Sequence, residues 1–226
     1  MKRILTYLLL IASSILFIIP VVLTVILSFK SGYSISLHGY FELLLNYFLF
    51  YPMFWNSVFY AGVITLLQLI VIVPCAFGFV FAKFKLKNTL YIFYIMLMMM
   101  PLQVTILPNY IGLREFDLLD TRLGIILPMI FSPFGVIVMH QYMKSIDDSV
   151  IEAMRMETNS IIRVIITAVV PQLRVCIFAV VLFVFADCWN MVEQPLLFLR
   201  NNNLKTLTVF LSNLLHNSSG TAIQLQ

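Results

Sequence analysis

Four long stretches of this 226-residue chain contain no Asp, Glu, Lys or Arg. Each is longer than the ~20 residues that a helix needs to cross ~30 Å of hydrocarbon. The whole composition agrees, because only 11% of the residues are charged, against about 25% in soluble domains. The chain is therefore predicted to be a membrane protein and not a soluble domain. The uncharged stretches are residues 4–29, 54–82, 88–113 and 123–143.

A fifth apolar run, residues 175–186, is too short to cross a membrane by itself. Crossing requires a helix that continues to Leu199 and carries Asp187 and Glu193. The first run could also be a signal peptide, but its length exceeds an ordinary signal core, and we expect a signal anchor. We predict one all-α domain over residues 1–226, a polytopic transmembrane helical bundle. Its expected spans are about 4–29, 54–82, 88–113, 123–143 and 175–199.

The basic residues indicate the orientation of this bundle. If the amino terminus is cytoplasmic, nine of the 14 lysines and arginines fall in inside segments, as the positive-inside rule requires. The compact cluster of Lys83, Lys85 and Lys87 contributes most. We therefore expect a multi-pass protein of the lipid bilayer with a cytoplasmic amino terminus. A net charge of +4 spread over so apolar a chain is not the footprint of a nucleic-acid-binding protein.

The longest cytoplasmic connection, Lys144 to Arg174, has the pattern of two short helices. Ser149 and Glu152 have capping-box spacing, which predicts a helix from about Ser149 to about Glu157. Turn residues follow, and then a second amphipathic segment over residues 161–170. A helix lying on lipid usually has a basic polar face, but this loop balances four acids with four bases. A protein partner is the favoured interpretation of the loop.

Residues 145–172 resemble the cytoplasmic EAA loop of ABC-importer permeases. Further segments resemble the carbohydrate-type, binding-protein-dependent permeases, in particular the smaller subunit of the maltose-type pair, and together the matches cover almost the whole chain. These segments are Asn56-Ser-Val, residues 82–88 (AKFKLKN), residues 101–111 (PLQVTILPNYI), residues 118–128 (LLDTRLGIILP), and Trp189-Asn with Pro195.

The resemblance implies the fold of type I ABC importer permeases, with residues 145–171 as a coupling-helix loop. It also implies a homologous second permease, two ATP-binding cassette ATPase subunits and an extracytoplasmic solute-binding protein. In the family, the EAA glutamate lies in a groove of the ATPase, and Glu152 with Ala153 holds that position here. Helix capping remains an alternative or additional role for Glu152. The residues expected to couple to the ATPase are Ser149, Glu152, Ala153, Arg155, Glu157 and Asn159.

Three features depart from the family pattern. Met154 replaces the second alanine of the EAA motif, and Thr158 replaces the family glycine, so Asn159 is expected to take the left-handed conformation that ends the helix. The family's sixth span appears to be absent, because the chain stops at Gln226 in a polar stretch. The sequence therefore leaves open a truncated, non-transporting membrane scaffold as an alternative.

Polar residues in the third and fifth spans are candidates for the substrate path. A carboxylate inside a membrane costs ~2.5–3.5 kcal/mol on insertion scales and normally faces a polar path. Pro101 and Pro108 are expected to break the third span, and broken helices persist where they line a cavity. Packing is the alternative role for Trp189, and an interfacial position is the alternative for Glu193. The candidates are Gln103, Thr105, Asn109, Asp187, Trp189, Asn190 and Glu193.

No catalytic or metal-binding pattern accompanies these residues. None of the eight glycines begins a G-x-x-x-x-G-K-[ST] phosphate loop, so we expect no cofactor in this chain and expect ATP and Mg²⁺ in the partner ATPase. The predicted function is a permease subunit that forms half of the path for a sugar or oligosaccharide. An importer of a non-sugar solute is the alternative within transport.

Overall fold

The computed structural model describes residues 2–31 and 34–223. The chain divides into two compact units, Met1–Phe50 and Tyr51–Gln226. In the first unit, helix α1 spans Lys2–Ser28 and contains Pro20. A short antiparallel pair follows, in which strand β1 (Lys30–Ser31) bonds to strand β2 (Ser34–Ile35). The unit continues with α2 (His38–Phe41) and a π-helical turn at Glu42–Asn46.

The second unit is helical through its described residues. It contains α3 (Phe50–Phe81, whose first residue closes the preceding unit), α4 (Lys87–Met98), α5 (Leu102–Glu115), α6 (Arg122–Met129), α7 (Pro133–Met143), α8 (Asp148–Glu157), α9 (Ile161–Val164), a π-helical turn (Ile165–Val169), α10 (Val170–Gln172), α11 (Arg174–Trp189), α12 (Glu193–Phe198), a 3-10 turn (Asn202–Leu204) and α13 (Leu207–Ile223).

The core of this unit lies where α3, α7 and α11 meet. Ile64 and Ile72 of α3, Met139 of α7 and Val180 of α11 are almost completely buried. Gly135 permits the close approach of α7 to α3, because a Cβ at that position would overlap the side chain of Ile72. The opposite faces of these helices expose large apolar side chains, as expected of helices that face lipid on one side.

Within residues 2–31 and 34–223, three stretches are long and apolar enough to cross a membrane: residues 9–28, 50–81 and 122–143. Two further pairs of helices meet this criterion only together, and each pair is sharply bent. The bend is 97° between α4 and α5, and it is 88° between the residue 161–172 segment and α11. The all-α, multi-helix membrane fold predicted from the sequence is thus confirmed, but three of its expected spans, 88–113, 123–143 and 175–199, are not single helices.

The third uncharged run breaks at one of its two prolines. Pro101 has an extended conformation (φ −66°, ψ 147°) and is the residue just before α5. Its ring disfavours the helical conformation at the preceding residue, Met100, so α4 cannot continue into α5. The expected break at Pro108 was wrong, because Pro108 lies inside α5. At 1.5 Å per residue, α4 and α5 are each too short to cross the hydrocarbon alone.

The fifth run also differs from a single helix over residues 175–199. Helix α11 ends at Trp189, residues 190–192 are not helical, and α12 begins at Glu193. Pro195 lies four residues after Met191, and it has no N–H to donate to the Met191 carbonyl as a continuous helix would require. Thr208 Oγ1 donates to this carbonyl instead, at 2.7 Å, so a side chain from α13 stabilises the non-helical backbone.

The end of α12 is fixed to the loop before α6. Asp120, which has a positive φ of 59°, accepts hydrogen bonds through Oδ1 from the backbone N–H groups of Arg200 (2.9 Å) and Asn201 (2.8 Å). Its own N–H donates to the carbonyl of Phe198 at 2.8 Å. These bonds position α12 against α6. The two helices together form one wall of the cavity described below.

Candidate functional site: an exposed loop and a polar cavity

Helix α8 begins one residue before the predicted start. Asp147 is the N-cap, and its Oδ1 accepts a hydrogen bond from the N–H of Ser149 at 3.0 Å. The predicted capping box was therefore wrong: Ser149 is the second residue of the helix and does not cap it. An aspartate is as good an N-cap as a serine, and Asp147 lies at the position where the backbone enters the helix. The predicted end at Glu157 is confirmed.

The two sides of α8 have different environments. Ile151 is buried, and Val150 and Met154 pack against the hydrophobic core. Met154, the residue that departs from the EAA pattern, therefore faces the bundle. The other side of the helix is exposed and combines a carboxylate, a methyl group, a guanidinium and a thioether. We call this side the outer face; it consists of Glu152, Ala153, Arg155 and Met156.

The turn after α8 ends the helix without a left-handed residue. Thr158 is extended (φ −150°, ψ 138°), and Ser160 caps α9 by accepting from the N–H of Arg163 at 3.4 Å. In the described chain, the non-glycine residues with positive φ are Asp117 and Asp120. The expected left-handed role of Asn159 was therefore wrong. A threonine that adopts an extended conformation makes a left-handed residue unnecessary here.

The coupling residues named from the sequence all lie in this region. Ser149, Glu152, Ala153, Arg155 and Glu157 are exposed on α8, and Asn159 is exposed in the turn. Arg155 and Asn159 also line a small cavity of about 180 Å³ between the loop and the end of α3. Exposed isoleucines on the following segment continue the apolar part of the surface, with Ile162 70% and Ile166 59% exposed.

A cavity with a mostly apolar lining that includes two carboxylates and several amides lies where three helix breaks converge, and we call it the polar cavity. Its walls come from the bend between α4 and α5, the break between α6 and α7, and the break between α11 and α12, and its volume is about 990 Å³. Non-helical backbone at membrane depth is tolerated where it is covered by protein or lines a water-filled space. The convergence of three breaks on one space identifies this cavity as the candidate path for a polar solute.

Five of the seven substrate-path candidates line this polar cavity: Thr105, Asn109, Asp187, Asn190 and Glu193. Two of these side chains donate a hydrogen bond to a nearby backbone carbonyl: Thr105 Oγ1 to Leu102 O at 3.0 Å, and Asn190 Nδ2 to Ala186 O at 2.8 Å. The described lining holds two carboxylates and includes no Lys, Arg or His. The polar part of the described lining therefore consists of two carboxylates with neutral amide and hydroxyl groups beside them.

The other two candidates lie elsewhere. Gln103 is exposed on α5 and is not part of the lining. Trp189 is half-buried, with its ring stacked on Phe185 (centroids 6.0 Å apart) and edge-on to Phe54 (5.9 Å). These contacts agree with the packing role that the sequence left open for Trp189.

Two buried glutamines of the lining were missed by the sequence analysis. Gln68 of α3 is 5% exposed; its Nε2 donates to the carbonyl of Met129, and its Oε1 has no partner among the described residues. Gln194 is 7% exposed, and its Nε2 contacts the sulfur of Met129 at 3.5 Å. For Gln68 the available signal was an amide inside the uncharged run of α3, because polar side chains within such runs commonly hold helices together.

The arrangement of an exposed two-helix loop and a polar cavity between broken helices can be compared with known proteins. A sequence profile of the family described as "binding-protein-dependent transport system inner membrane component" matches residues 70–209. The chain belongs to this family. The matched region includes the whole of α8 and the lining of the polar cavity except Gln68, so both features lie largely in the part of the chain that defines an inner membrane component of this kind.

Curated relatives are permeases of sugar and glycerol phosphate transport systems. The lactose permease protein LacG of Rhizobium radiobacter is 30% identical over 71% of this chain and 59% of its own length. The arabinooligosaccharide permease protein AraQ of Bacillus subtilis is 27% identical over 74% and 59%. The sn-glycerol-3-phosphate permease protein UgpE of Escherichia coli is 27% identical over 76% and 61%. The chain thus spans about three fifths of the length of these relatives.

A solved structure shares the fold. A chain of a bacterial ABC transporter involved in the import of the acidic polysaccharide alginate superposes with a TM-score of 0.83 and 22% identity. The superposition covers 94% of this chain and 79% of that one. It confirms the predicted all-α architecture of ABC importer permeases.

Proposed function

We propose that this chain forms half of the translocation path of an ATP-driven importer for a sugar or oligosaccharide. It pairs with a homologous permease, receives solute from an extracytoplasmic binding protein and contacts an ATPase assembly of two subunits through residues 145–171. Its amino terminus lies in the cytoplasm, and ATP and Mg²⁺ bind in the ATPase. Movement of the ATPase subunits displaces the loop and changes access to the path, which is a rigid-body transition.

The observation that carries this proposal is the two-sided build of α8. Its inner residues, such as Ile151, belong to the hydrophobic core, so a force on the helix is transmitted to the core. Its outer face offers Glu152 and Arg155 for charge-assisted hydrogen bonds, while Met156, 89% exposed, offers adaptable apolar contact. The small Ala153 between these residues lets a partner surface approach closely.

Co-purification of the ATPase with variant permeases tests this docking surface. Reversing the charge at the outer face with Glu152→Arg should release the ATPase from the purified complex. Glu115→Arg makes the same change at an exposed residue at the end of α5, and it should leave the complex intact. Retention of the ATPase by Glu152→Arg, or equal loss with Glu115→Arg, would contradict docking at α8. A non-transporting scaffold would retain no ATPase in any variant.

The solute class is supported by the polar cavity and by the lactose and arabinooligosaccharide relatives. A lining with two carboxylates and no base among its described residues accepts hydrogen bonds from hydroxyl groups and repels an anion. The cavity therefore favours a neutral sugar over a phosphate ester or an acidic polysaccharide. This preference differs from the solutes named for the UgpE relative and for the alginate transporter.

Solute-stimulated ATP hydrolysis in reconstituted vesicles tests the solute class. Vesicles with both permeases, the ATPase and the binding protein should respond to neutral mono- or oligosaccharides such as lactose or arabinooligosaccharides. They should not respond to sn-glycerol-3-phosphate or alginate oligomers. Stimulation by sn-glycerol-3-phosphate or alginate oligomers alone would overturn the assignment to a neutral sugar and leave the docking proposal standing.

A further inference from the structure

Three buried polar side chains lie on one side of α3 near its start. Tyr60 follows Asn56 by four residues and Ser57 by three, and this spacing makes their side chains neighbours on the helix surface. Each of the three is at most 6% exposed. We call Asn56, Ser57 and Tyr60 the α3 clamp.

The α3 clamp holds the chain segment that leads into α13, and it does so through backbone atoms. The amide of Asn56 donates to two carbonyls at 2.6 and 3.2 Å, and the hydroxyl of Tyr60 donates to a third at 3.1 Å. The hydroxyl of Ser57 accepts from the N–H of the first residue of α13 at 2.9 Å. The backbone partners are, in this order, Asn203, Lys205, Leu204 and Leu207. The first turn of α13 is therefore fixed relative to α3.

This first turn brings a hydroxyl to the break between α11 and α12. The carbonyl of Met191 has no helical partner, because Pro195 lacks an N–H, and Thr208 Oγ1 donates to it at 2.7 Å. Thr206 Oγ1 lies 2.9 Å from Thr208 Oγ1. A hydroxyl has one proton, and Thr208 uses its own for Met191, so Thr206 is the donor in that pair. The two hydroxyls therefore form a directed chain that ends at the Met191 carbonyl.

The non-helical backbone at the end of this chain is part of the polar cavity. Met191 and Val192 line the cavity, and so do Asn190 and Glu193 on either side of them. Thr208 is not among the lining residues that the structure describes. A shift of the Met191 carbonyl would thus move the lining, although Thr208 itself does not face the solute path.

We propose that Thr208 is a positioning residue for the polar cavity. Its hydroxyl holds residues 190–192 in the conformation that places Asn190 and Glu193 in the lining, and the α3 clamp holds Thr208 at that distance. Pro195 alone removes one helical hydrogen bond, but it does not determine where the freed carbonyl lies. The effect of Thr208 on solute uptake rests on the proposed function, whereas its effect on the backbone does not.

Hydrogen exchange in the assembled transporter tests the effect on the backbone. The N–H groups of Asn190 and Leu196 bond to the carbonyls of Ala186 (3.1 Å) and Val192 (3.0 Å), on the two sides of the break. Thr208→Val keeps the side-chain shape without the hydroxyl, and both amides should exchange roughly fivefold faster, as for the loss of one ordinary hydrogen bond. Thr208→Ser keeps the hydroxyl and should restore the parent rates.

The amount of lactose taken up per ATP hydrolysed in reconstituted vesicles tests the effect on the solute. A smaller amount of folded transporter lowers uptake and hydrolysis together and leaves this ratio unchanged. A misplaced lining should lower the ratio, by roughly fivefold in Thr208→Val, and Thr208→Ser should restore it. The matched control Thr24→Val removes a hydroxyl that bonds to the carbonyl of Pro20 within α1 at 2.8 Å, and it should change neither measurement.

Each outcome decides the proposal. Unchanged exchange in Thr208→Val, no recovery in Thr208→Ser, or faster exchange with an unchanged ratio overturns it. A parent transporter that takes up no lactose contradicts the assignment of the solute, and the exchange rates alone then decide the role of Thr208. Should Thr208→Val fail to fold, Ser57→Ala decides, because it releases the N–H of Leu207. Exchange at the break should also rise in that variant, and unchanged rates overturn the proposal.

Discussion

The carboxylate oxygen Oδ1 of Asp147 accepts a hydrogen bond from the N–H of Ser149 at 3.0 Å, and this bond begins α8. A single exposed side chain thus determines where the helix starts. The rest of α8 is oriented by the burial of Ile151 and the packing of Met154. The N-cap and these inner residues together hold Glu152 and Ala153 outward.

Removing the cap should loosen the first turn of α8. Asp147→Ala leaves an N–H at the start of the helix without its side-chain partner, and we expect the amide hydrogens of that turn to exchange roughly fivefold faster. Hydrogen exchange followed by mass spectrometry measures this change. Ser149→Ala should have a smaller effect, since Ser149 is not the N-cap. The reverse order would mean that Ser149 caps the helix after all.

The same cap makes the start of α8 sensitive to acid. Hydrogen bonds from the backbone and side chain of Ser149 hold the pKa of Asp147 below its usual value of 3.8. A folded pKa below the unfolded one gives stability that is present above 3.8 and lost as the pH falls through the lowered pKa. The protection of the first turn, measured as its exchange rate relative to the intrinsic rate at each pH, should therefore fall only at such acidic pH. Asp147→Asn, which caps without titrating, should remove this dependence, and a transition near neutral pH would disagree with it.

Close backbone packing makes Gly124 intolerant of substitution. A Cβ at Gly124 would overlap the backbone carbonyl of Leu118, whereas a Cβ at Gly135 would meet the movable end of the Ile72 side chain. We expect Gly124→Ala to destabilise the protein by about 1–3 kcal/mol and Gly135→Ala to cost less. Gly112→Ala, with nothing within 4 Å, is the control. Thermal unfolding in detergent measures the order, and equal midpoints for all three variants would show that the Leu118 contact is absent.

Reversing charge in the polar cavity should impair uptake of a neutral sugar. Asp187→Lys places a cation among acceptors that line the proposed path, and a loss of about 1.4 kcal/mol of binding would lower uptake roughly tenfold. Gln103→Lys introduces a cation on α5 outside the lining, and it should leave uptake almost unchanged. Initial rates in reconstituted vesicles distinguish the two variants. Similar rates for both would place the path elsewhere.

Sequence patterns predicted those features that depend on local chemistry. Uncharged runs predicted the membrane helices because transfer of charge into hydrocarbon is costly, and Pro101 marked a break because of its own geometry. The break at residues 190–192 had a local signal in Pro195, which cannot donate to the Met191 carbonyl. The Thr208 hydroxyl that satisfies this carbonyl was not predictable, because it is distant in sequence. Gln68 was missed for the same reason: its partner, the Met129 carbonyl, is brought near only by the packing of α3 against α6.

The residue at which a helix begins was the second feature that the sequence could not predict. Asp147 and Ser149 both suit an N-cap, and the competition between them is decided by how the backbone leaves α7. The sequence could not resolve that choice. It did place the coupling residues on one short helix and the turn after it. The outer and inner sides of that helix became distinguishable only once the packing of the core was known.

The central claim is that the outer face of α8 contacts the ATPase, and cysteine cross-linking measures this contact most directly. Ala153→Cys on the outer face should form a cross-link to the ATPase subunit in the assembled complex. Val150→Cys, three residues earlier and packed against the core, should form none. Absence of a cross-link from Ala153→Cys, or an equally strong one from Val150→Cys, would contradict the account.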